Sequence, residues 1–460
     1  MRNDRRIAAP YKVYVGSVSD RFSPRAGLLA LSRAFRSLDF PTMAEGYLSE
    51  NGTTKNPCWA TLESLMLLQA AGADCVADCH LLQDDPCVTA GLGYSPISSK
   101  VARAFLERLG DEERTAVKTG ENSEFQKFLM DATAAIWSHH RMTPGIQEPQ
   151  DIQITIDVLP SVSREPPHIS WASPLPEPWP VKVACYWRES DLFLGGSSCL
   201  DVGALVGRIA QAIGAIPFSN HGRLIRGGSF CCQRPLLEWL SHQSFEADRV
   251  GGRIRNVPVG FIICTELTAE RAAALDQDRD GWSRAGLQSN GPFEWKELTV
   301  LDSDPLLRGL QLRHIAVRRS CLGEDSSRFQ YATFVTNRDR IAGAMASWFV
   351  KGAADVNRAL GDLGALASGL NPNDSLDKTG YGRFLLAMPT HNLCSAVRRL
   401  CFDDGERHVS LNRFREFLLH ATGRMAKSER TRKLKISQLK ARQLFTRVRK
   451  HFELAERATV

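Results

Sequence analysis

An aspartate that follows a run of β-branched residues is the first feature of this sequence that could do chemistry. Asp157 lies in the stretch 152–160, IQITIDVLP, whose alternating and β-branched apolar residues predict a buried strand that ends at the aspartate. An ionised carboxylate there needs a partner, which is usually a metal ion, a basic side chain or capping N–H groups. All three partners remain open on the residues alone, and a capped loop aspartate is the simplest alternative.

The elements that must position this aspartate are further strands. The same apolar pattern recurs at 181–187 (VKVACYW), 191–194, 223–226 and 259–264 (VGFIIC). Helical stretches separate the later strands. Strands that alternate with helices predict an α/β sheet, and the first strand of this sheet carries the acid.

Length and composition indicate a globular protein of two or three domains, because 460 residues with 43% hydrophobic content can bury a sizeable core. No apolar run approaches the roughly 20 residues of a membrane helix, and the N-terminus lacks the apolar region of a signal peptide. We therefore expect a cytoplasmic protein without a membrane partner. The 12 cysteines are scattered, so reduced thiols are expected rather than a disulfide framework.

One group of cysteines comes close to the pattern of a metal site. Cys75, Cys79, His80 and Cys87 lie near one another in the sequence. Their spacing lacks the paired C-x-x-C arrangement that structural zinc sites favour. Buried structural thiols are therefore the preferred interpretation.

The net charge of +7 is concentrated near the C-terminus. Between residues 424 and 450 there are eleven Lys or Arg and a single acid, Glu429. Such a segment suits a polyanion, because each phosphate that it neutralises releases counterions. The alternative is a solvated helix face. We predict DNA contacts from these residues: Arg424, Lys427, Arg430, Arg432, Lys433, Lys435, Lys440 and Arg442.

The apolar residues of this segment indicate how it would attach to the protein. Leu434, Leu439, Leu444, Phe445 and Val448 recur so that one face of a helix could dock while the basic face stays in solvent.

Residues 1–145 are predicted to be helical, and part of this region is basic. A short Ser/Pro segment, 95–99, precedes a helix that carries Lys100, Arg103 and Arg108. This arrangement is compatible with a helix-turn-helix DNA-binding element and equally with an ordinary helical hairpin. We include the three basic residues among the predicted DNA contacts.

Several segments also follow one another in a recognisable order along most of the chain. They read GLLALSRAF, SLMLLQAAGADCVADCHLLQDDPCVTAGLG, SPISSKVARAFLERL, ITID, LIRGGSF, EWKELTV, YATFVTNRDRIAGAMASWF and FLLAMPTHNLCSAVRRL. This order resembles the insertion-sequence DDE transposases of the thirteen-eighty group. The likeness depends on the shared order of the segments and on no single motif.

The resemblance implies an RNase H-like sheet on which three acids hold two Mg²⁺ ions. Such metals activate a water or a DNA 3′-hydroxyl and stabilise the leaving oxygen, which requires carboxylates that converge from separate elements. Asp157 matches the first acid. The second should follow an Arg-small pair, which here is Arg226 and Gly227, so its position is taken by Gly228.

The third acid of the family should lie five residues after a lysine in the helix that follows Trp348. Counting from Lys351, this position is Val356, and no glutamate occurs between residues 325 and 405. Asp355 lies about 100° round a helix from Val356, so it cannot point where the missing acid did. Two of the three catalytic acids are therefore absent, and Asp157 is the only metal ligand left, if any metal binds.

The resulting prediction is an α/β protein with an RNase H-like mixed sheet, a helical N-terminal domain, a β-rich insertion and a basic helical C-terminal tail. The predicted boundaries are 1–145 for the helical domain, 150–400 for the core, about 266–330 for the insertion, and 401–460 for the tail.

The predicted function is DNA binding by a transposase descendant that neither cleaves nor joins DNA, with Mg²⁺ not bound productively. The alternative is an active DDE transposase that performs two-metal cleavage and strand transfer. Double-stranded DNA, either transposon ends or duplex in general, is the expected partner, and a homodimer is left open.

Overall fold

The computed structural model describes most of the chain. The described residues are 23–49, 57–142, 153–160, 181–216, 222–250, 253–278, 280–284, 293–298, 307–320, 329–350, 353–367, 378–402, 408–427 and 432–458. They form a mixed α/β structure that divides into two compact units. The first unit comprises Met1–Glu148, Asp191–Gly195 and Gly361–Val460, and the second comprises Pro149–Ser190 and Gly196–Leu360.

The first unit begins with helices, as the apolar periodicity of residues 1–145 predicts. They are α1 (Leu28–Ser37), α2 (Phe40–Leu48), α3 (Cys58–Ala70), α4 (His80–Gln83), α5 (Pro86–Leu92), α6 (Ser99–Thr119) and α7 (Glu124–Met142). Helix α3 is buried from Ala60 to Ala70. Its one acid, Glu63, is satisfied inside the unit, because it accepts hydrogen bonds from Ser32, Arg36 and Tyr94.

The second unit is built on strands. They are β1 (Gln153–Pro160), β2 (Val181–Trp187), β3 (Leu192–Cys199), β4 (Gly222–Gly227), β5 (Ser244–Val250), β6 (Arg253–Pro258), β7 (Gly260–Thr265), β8 (Ser283–Arg284), β9 (Glu294–Leu298), β10 (Arg313–Ser320) and β11 (Phe329–Thr336). Five of them, β1, β2, β3, β4 and β7, correspond to the predicted apolar runs. The boundary between the units falls within β3.

Nine strands form one sheet in the order β3-β2-β1-β4-β7-β11-β10-β9-β8. Strands β1, β4 and β7 are mutually parallel, whereas β2 is antiparallel to β1 and β11 is antiparallel to β7. Strands β5 and β6 form a separate hairpin. Strands β8, β9 and β10 lie within the segment 266–330 for which a β-rich insertion is predicted, and together with β11 they extend the central sheet at one edge.

The helices of this unit are α8 (Val202–Ala215), α9 (Arg234–His242), α10 (Ala269–Gln277), α11 (Ala342–Val350) and α12 (Ala353–Leu366), and the last of these crosses the boundary between the units. Helices α8 and α9 contact β1, β2 and β7. Helix α11 packs its apolar residues on the sheet with Phe334, Ile315 and Ile262.

The C-terminal part of the first unit contains α13 (Lys378–Cys401), α14 (Leu411–Phe414), β12 (Gly423–Lys427), β13 (Arg432–Ile436) and α15 (Leu439–Ala458). Residues 423–436 therefore form a β-hairpin, so the prediction of a wholly helical tail is wrong for this segment. Helix α15 is amphipathic as predicted: Leu444, Phe445 and Val448 are buried.

Helix α13 is buried along almost its whole length and carries a fully buried arginine, Arg398. The guanidinium of Arg398 lies 2.7 Å from the carboxylate of Asp362 and 3.3 Å from that of Asp191. Arg398 also donates to the backbone oxygen of Val409. The buried charge is thus compensated within the first unit. No helix in the described part of the chain is long and apolar enough to cross a bilayer.

Candidate functional site

Asp157 lies inside β1, in the middle of the sheet. Its register partners are Tyr186 on the antiparallel strand β2 and Arg226 on the parallel strand β4. The strand continues to Pro160, so the prediction that Asp157 ends the strand is wrong. Because partners in register project from the same face of a sheet, Asp157, Tyr186 and Arg226 share one face.

The partner of the Asp157 carboxylate is a guanidinium. Asp157 is 1% exposed, and its Oδ1 accepts a hydrogen bond from Nε of Arg226. Arg226 also donates from Nη1 to the backbone oxygen of Phe349 at 3.2 Å, which ties it to the end of α11. Of the three partners that the sequence leaves open, the structure thus provides the basic side chain.

Further charged groups on this face of the sheet are also paired. Arg188 donates from Nη2 to Oγ1 of Thr155 at 2.7 Å and lies 3.7 Å from the carboxylate of Glu189. The guanidinium carbon of Arg188 is 4.9 Å from the centre of the Trp348 ring, and that of Arg226 is 5.8 Å from it. Trp348 therefore lies beside both cations, a favourable arrangement for an aromatic ring.

The ionisation of Glu189 is governed by its burial. Burial is the largest influence and raises the pKa of the Glu189 carboxyl, while Arg188 and the hydrogen bond from Thr155 act in the opposite direction. The backbone N–H of Thr155 donates to Glu189 at 2.9 Å. This carboxylate is therefore occupied with β1 and with Arg188.

The position predicted for the second acid directly follows β4 in the sequence. Gly228 follows the last residue of β4, so it lies next to the strand pair that contains Asp157. Its backbone is extended, with φ −71° and ψ −178°, which any residue can adopt. A Cβ at this position would lie 3.3 Å from the ring of Phe230, a tight contact that a small movement of the ring would relieve.

The thiols beyond Gly228 are poor substitutes for an oxygen ligand. Cys231 and Cys232 are buried, and burial raises the pKa of the Cys231 thiol well above its ordinary value. A neutral buried thiol does not suit a hard cation such as Mg²⁺.

The position predicted for the third acid is buried. Val356 lies in the first turns of α12 and is 5% exposed. Its neighbour Arg358 donates to the hydroxyl of Tyr186 at 3.4 Å and lies 3.9 Å from the carboxylate of Asp355. Since Tyr186 shares a face with Asp157, the start of α12 approaches the same face of the sheet. The other acid of this helix, Asp362, is engaged by Arg398 in the first unit.

The residues around Asp157 do not fit a pair of divalent ions. The buried Oδ2 of Asp157 has no hydrogen-bond partner among the described residues, so it is the one oxygen here that could ligate a cation. Mg²⁺ needs near-octahedral oxygen ligands, and the other carboxylates of this face, Glu189 and Asp355, lie within ion-pair distance of arginines. No cluster of three metal-binding side chains occurs in the described residues.

The predicted DNA contacts on α6 have different environments. Lys100 and Arg103 are exposed in the first turns of the helix. Arg108 is half-buried, and its guanidinium donates to Glu112 at 3.0 Å and to the backbone oxygen of Leu48 at 2.9 Å. Arg108 thus stabilises the helical unit itself.

The predicted contacts near the C-terminus divide between the hairpin and α15. Arg424, Lys433 and Lys435 are half-buried side chains of the hairpin. Lys427 and Arg432 are paired through the hairpin backbone, and Arg430 lies outside the described residues.

On α15, Lys440 is exposed and Arg442 is half-buried. The exposed face also carries Arg447 and Lys450, while Leu439, predicted to dock, is 63% exposed and lies on the same side. Leu439 is the one apolar residue of the set for which the prediction is wrong.

Several residues of the Asp157 site escaped the sequence analysis. Tyr186 lies on β2 and Arg188 directly after it, whereas Trp348 lies on α11 and Arg358 on α12. Only the strand register and the packing of α11 and α12 bring these residues together. A signal for Arg226 was present, because a basic residue near the end of the next parallel strand can pair with an acid on the first.

Among known proteins, no family model matches this chain, and no curated protein sequence is significantly similar to it.

Proposed function

We propose that this protein is a DNA-binding descendant of a DDE transposase that performs no DNA cleavage or joining. The observation that carries the loss of chemistry is that Gly228 and Val356 take the positions of two acids, while the remaining acid, Asp157, is held in a buried ion pair with Arg226. A guanidinium there supplies the positive charge that a metal ion would supply, but it cannot activate a water or polarise a phosphate as a metal does.

An RNase H-like core is part of this proposal. Support comes from the neighbouring parallel strands β1 and β4, which bring Asp157 and the position of Gly228 together in the centre of the sheet. Further support comes from α12, whose residue Arg358 reaches Tyr186 on the same face. Acids at positions 157, 228 and 356 would thus come from separate elements, as a two-metal site requires.

The balance of charge on this face also supports an inactive site. The described residues that meet there include the carboxylates of Asp157, Glu189 and Asp355 and the guanidiniums of Arg226, Arg188 and Arg358. A site for two divalent cations needs an excess of negative charge, which this set does not provide.

The exposed face of α15 supports DNA binding. Lys440, Gln443, Arg447 and Lys450 are exposed at helical spacing, and the opposite face is anchored by buried Leu444 and Phe445. Such a face can follow a phosphate backbone without loss of the fold.

Two measurements test the proposal. In a strand-transfer assay with Mg²⁺ or Mn²⁺, the native protein should give no cleaved or joined product above that of Asp157→Ala. Metal-dependent joining that disappears in Asp157→Ala would instead establish the active transposase. Titration of a duplex at several salt concentrations should give an affinity that falls steeply with salt, and an affinity that is independent of salt would refute phosphate binding.

A further inference from the structure

The start of α6 is fixed by a residue from the end of α4. Gln83 donates from Nε2 to the backbone oxygens of Pro96 and Ile97, at 3.3 and 3.0 Å. These oxygens directly precede Ser98, the N-terminal cap of α6. The segment between α5 and α6 thus contacts the end of α4, which precedes α5 in the chain.

The β12–β13 hairpin is fixed by the same short segment. Gly423 at the start of β12 exchanges two backbone hydrogen bonds with Ser23, at 2.9 and 3.0 Å. The hydroxyl of Ser23 donates to Asp85, whose other oxygen caps α5 by accepting from the N–H groups of Cys87 and Val88. Residues 83–88 therefore hold both the start of α6 and the start of the hairpin.

The hairpin has one face toward the core and one basic face. Leu434 and Ile436 are completely buried, so Lys433 and Lys435 project from the opposite face. Arg424 is the register partner of Lys435 and therefore shares that face. Arg424, Lys433 and Lys435 thus give this face of the hairpin a positive charge.

The exposed start of α6 adds two cations and an apolar group. Lys100 and Arg103 are exposed, and Val101 between them is 41% exposed.

A groove of about 680 Å³ lies between residues 80–90 and β12, with Arg25, His80 and Arg424 among its lining residues. The acids in its lining are Asp84 and Asp85, and Asp85 is buried and engaged by Ser23 and the start of α5.

We propose that the first turns of α6 and the basic face of the β12–β13 hairpin form one docking surface for duplex DNA. This inference rests on the proposed DNA-binding function and assigns its surface. The end of an α-helix fits the major groove of B-form DNA, about 12 Å wide, where Lys100 and Arg103 reach guanine edges or phosphates and Val101 contacts a thymine methyl. The hairpin contacts the adjacent backbone through Arg424, Lys433 and Lys435.

Duplex DNA fits this surface better than duplex RNA does. The major groove of A-form RNA is too narrow for side chains to read, so an exposed helix start flanked by cations would have no groove to enter.

The test compares two charge-removing variants with a matched control in the full-length protein. Lys100→Ala/Arg103→Ala removes the cations of α6, and Lys433→Ala/Lys435→Ala removes those of the hairpin. Lys118→Ala/Lys127→Ala removes two exposed lysines elsewhere, and Lys118 is about 27 Å away along α6, at 1.5 Å per residue. Thermal unfolding of all three shows whether each variant keeps its fold.

With a 30-base-pair duplex followed by fluorescence anisotropy, each test variant should bind about tenfold more weakly, with a salt slope smaller by about 1 to 2. The control should stay within about twofold of the native protein. Guanine N7 methylation, which blocks the major groove, should weaken binding by the native protein and have less effect on Lys100→Ala/Arg103→Ala.

The outcomes separate this inference from the proposed function. Native binding to duplex with test variants that behave like the control would refute this surface and leave DNA binding intact. Insensitivity to N7 methylation would refute the placement of α6 in the major groove. Failure of the native protein to bind duplex, or a preference for anionic vesicles, would refute both.

Discussion

The face of the sheet around Asp157 and the basic face of the β12–β13 hairpin arrange charge in opposite ways. Around Asp157, each carboxylate lies beside a guanidinium, and the Asp157–Arg226 pair is buried. On the hairpin, Arg424 and Lys435 are direct register partners with the same charge. Each carboxylate around Asp157 thus has a guanidinium beside it, whereas the hairpin face gathers cations. The comparison shows a face of balanced charge in the second unit and a face of like charge in the first.

The largest expected effect is the loss of the partner of Asp157. Arg226→Ala would leave a buried carboxylate uncompensated, so the free energy of unfolding should fall by about 3–5 kcal/mol in a urea titration. Arg234→Ala is the matched control, because the Arg234–Glu238 pair is also an arginine–carboxylate contact but is exposed, with side chains 42% and 44% accessible. The control should cost less than about 1 kcal/mol.

The double variant Asp157→Leu/Arg226→Met separates the effect of the buried charge on stability from the effect of packing. Replacing both members of a buried pair by apolar residues should cost much less than Arg226→Ala alone, because no charge is left behind. Equal losses for the single and double variants would show that packing of the arginine, and not its charge, stabilises this face.

The second largest effect on stability is expected when acids are introduced at positions 228 and 356, where the transposase resemblance predicts them. Gly228→Asp/Val356→Glu should destabilise the protein by about 2–3 kcal/mol in the absence of metal, because it adds carboxylates beside Asp157, one of them at a buried position. Mn²⁺ should recover part of this loss, measured as a rise in melting temperature. Gly228→Asn/Val356→Gln should show no such rise. Equal responses to Mn²⁺ in both variants would contradict the assignment of these positions.

A smaller effect is expected from the exposed face of α15. Arg447→Gln/Lys450→Gln should reduce affinity for duplex DNA about tenfold and lower the salt slope by about 2, one unit for each lost phosphate contact. Lys118→Gln/Lys127→Gln removes the same charge elsewhere and should have little effect. A deletion of 424–460 is unsuitable here, because it would also remove the buried residues Leu444 and Val448. Undiminished binding in the α15 variant would exclude this face.

The smallest effect is on the pH dependence of stability. The pKa of Glu189 is raised in the folded protein, chiefly by burial, so the unfolded chain releases this proton at a lower pH than the folded one. The raised pKa adds to the free energy of unfolding below the ordinary pKa of glutamate. This contribution is lost as the pH rises through the pKa of Glu189 in the folded protein. Glu189→Gln should therefore gain stability relative to the native protein as the pH rises from about 4 to 7. Urea titrations at several pH values should show this divergence, whereas the exposed Glu416→Gln should give a parallel curve.

The central strands could be predicted because their residues are apolar and β-branched over several positions. The end of β1 could not, because Leu159 and Pro160 continue as strand through pairing with β2 alone. The hairpin at 423–436 was missed for a similar reason: its sequences, GRMAK and RKLKI, are basic, and Leu434 and Ile436 become buried only by tertiary packing.

The candidate site shows the same limit. Asp157 could be found in the sequence, because a carboxylate within an apolar strand is conspicuous. Its partner could not be chosen among metal, base and N–H groups, since the choice depends on the register between β1 and β4. The transposase resemblance, the absence of catalysis and the DNA partner stay predictions until the assays above are done.

The buried thiols give the protein an internal reporter of opening. Of the described cysteines, Cys75 is exposed, whereas Cys185, Cys199 and Cys231 of the second unit and Cys394 of the first are buried. Burial raises the pKa of Cys185 and of Cys394 to about 12. Because alkylation requires an accessible thiolate, these sulfurs react only when the surrounding structure opens. The rate at which an alkylating reagent labels each thiol thus reads out the local opening of its own unit, with no engineered cysteine.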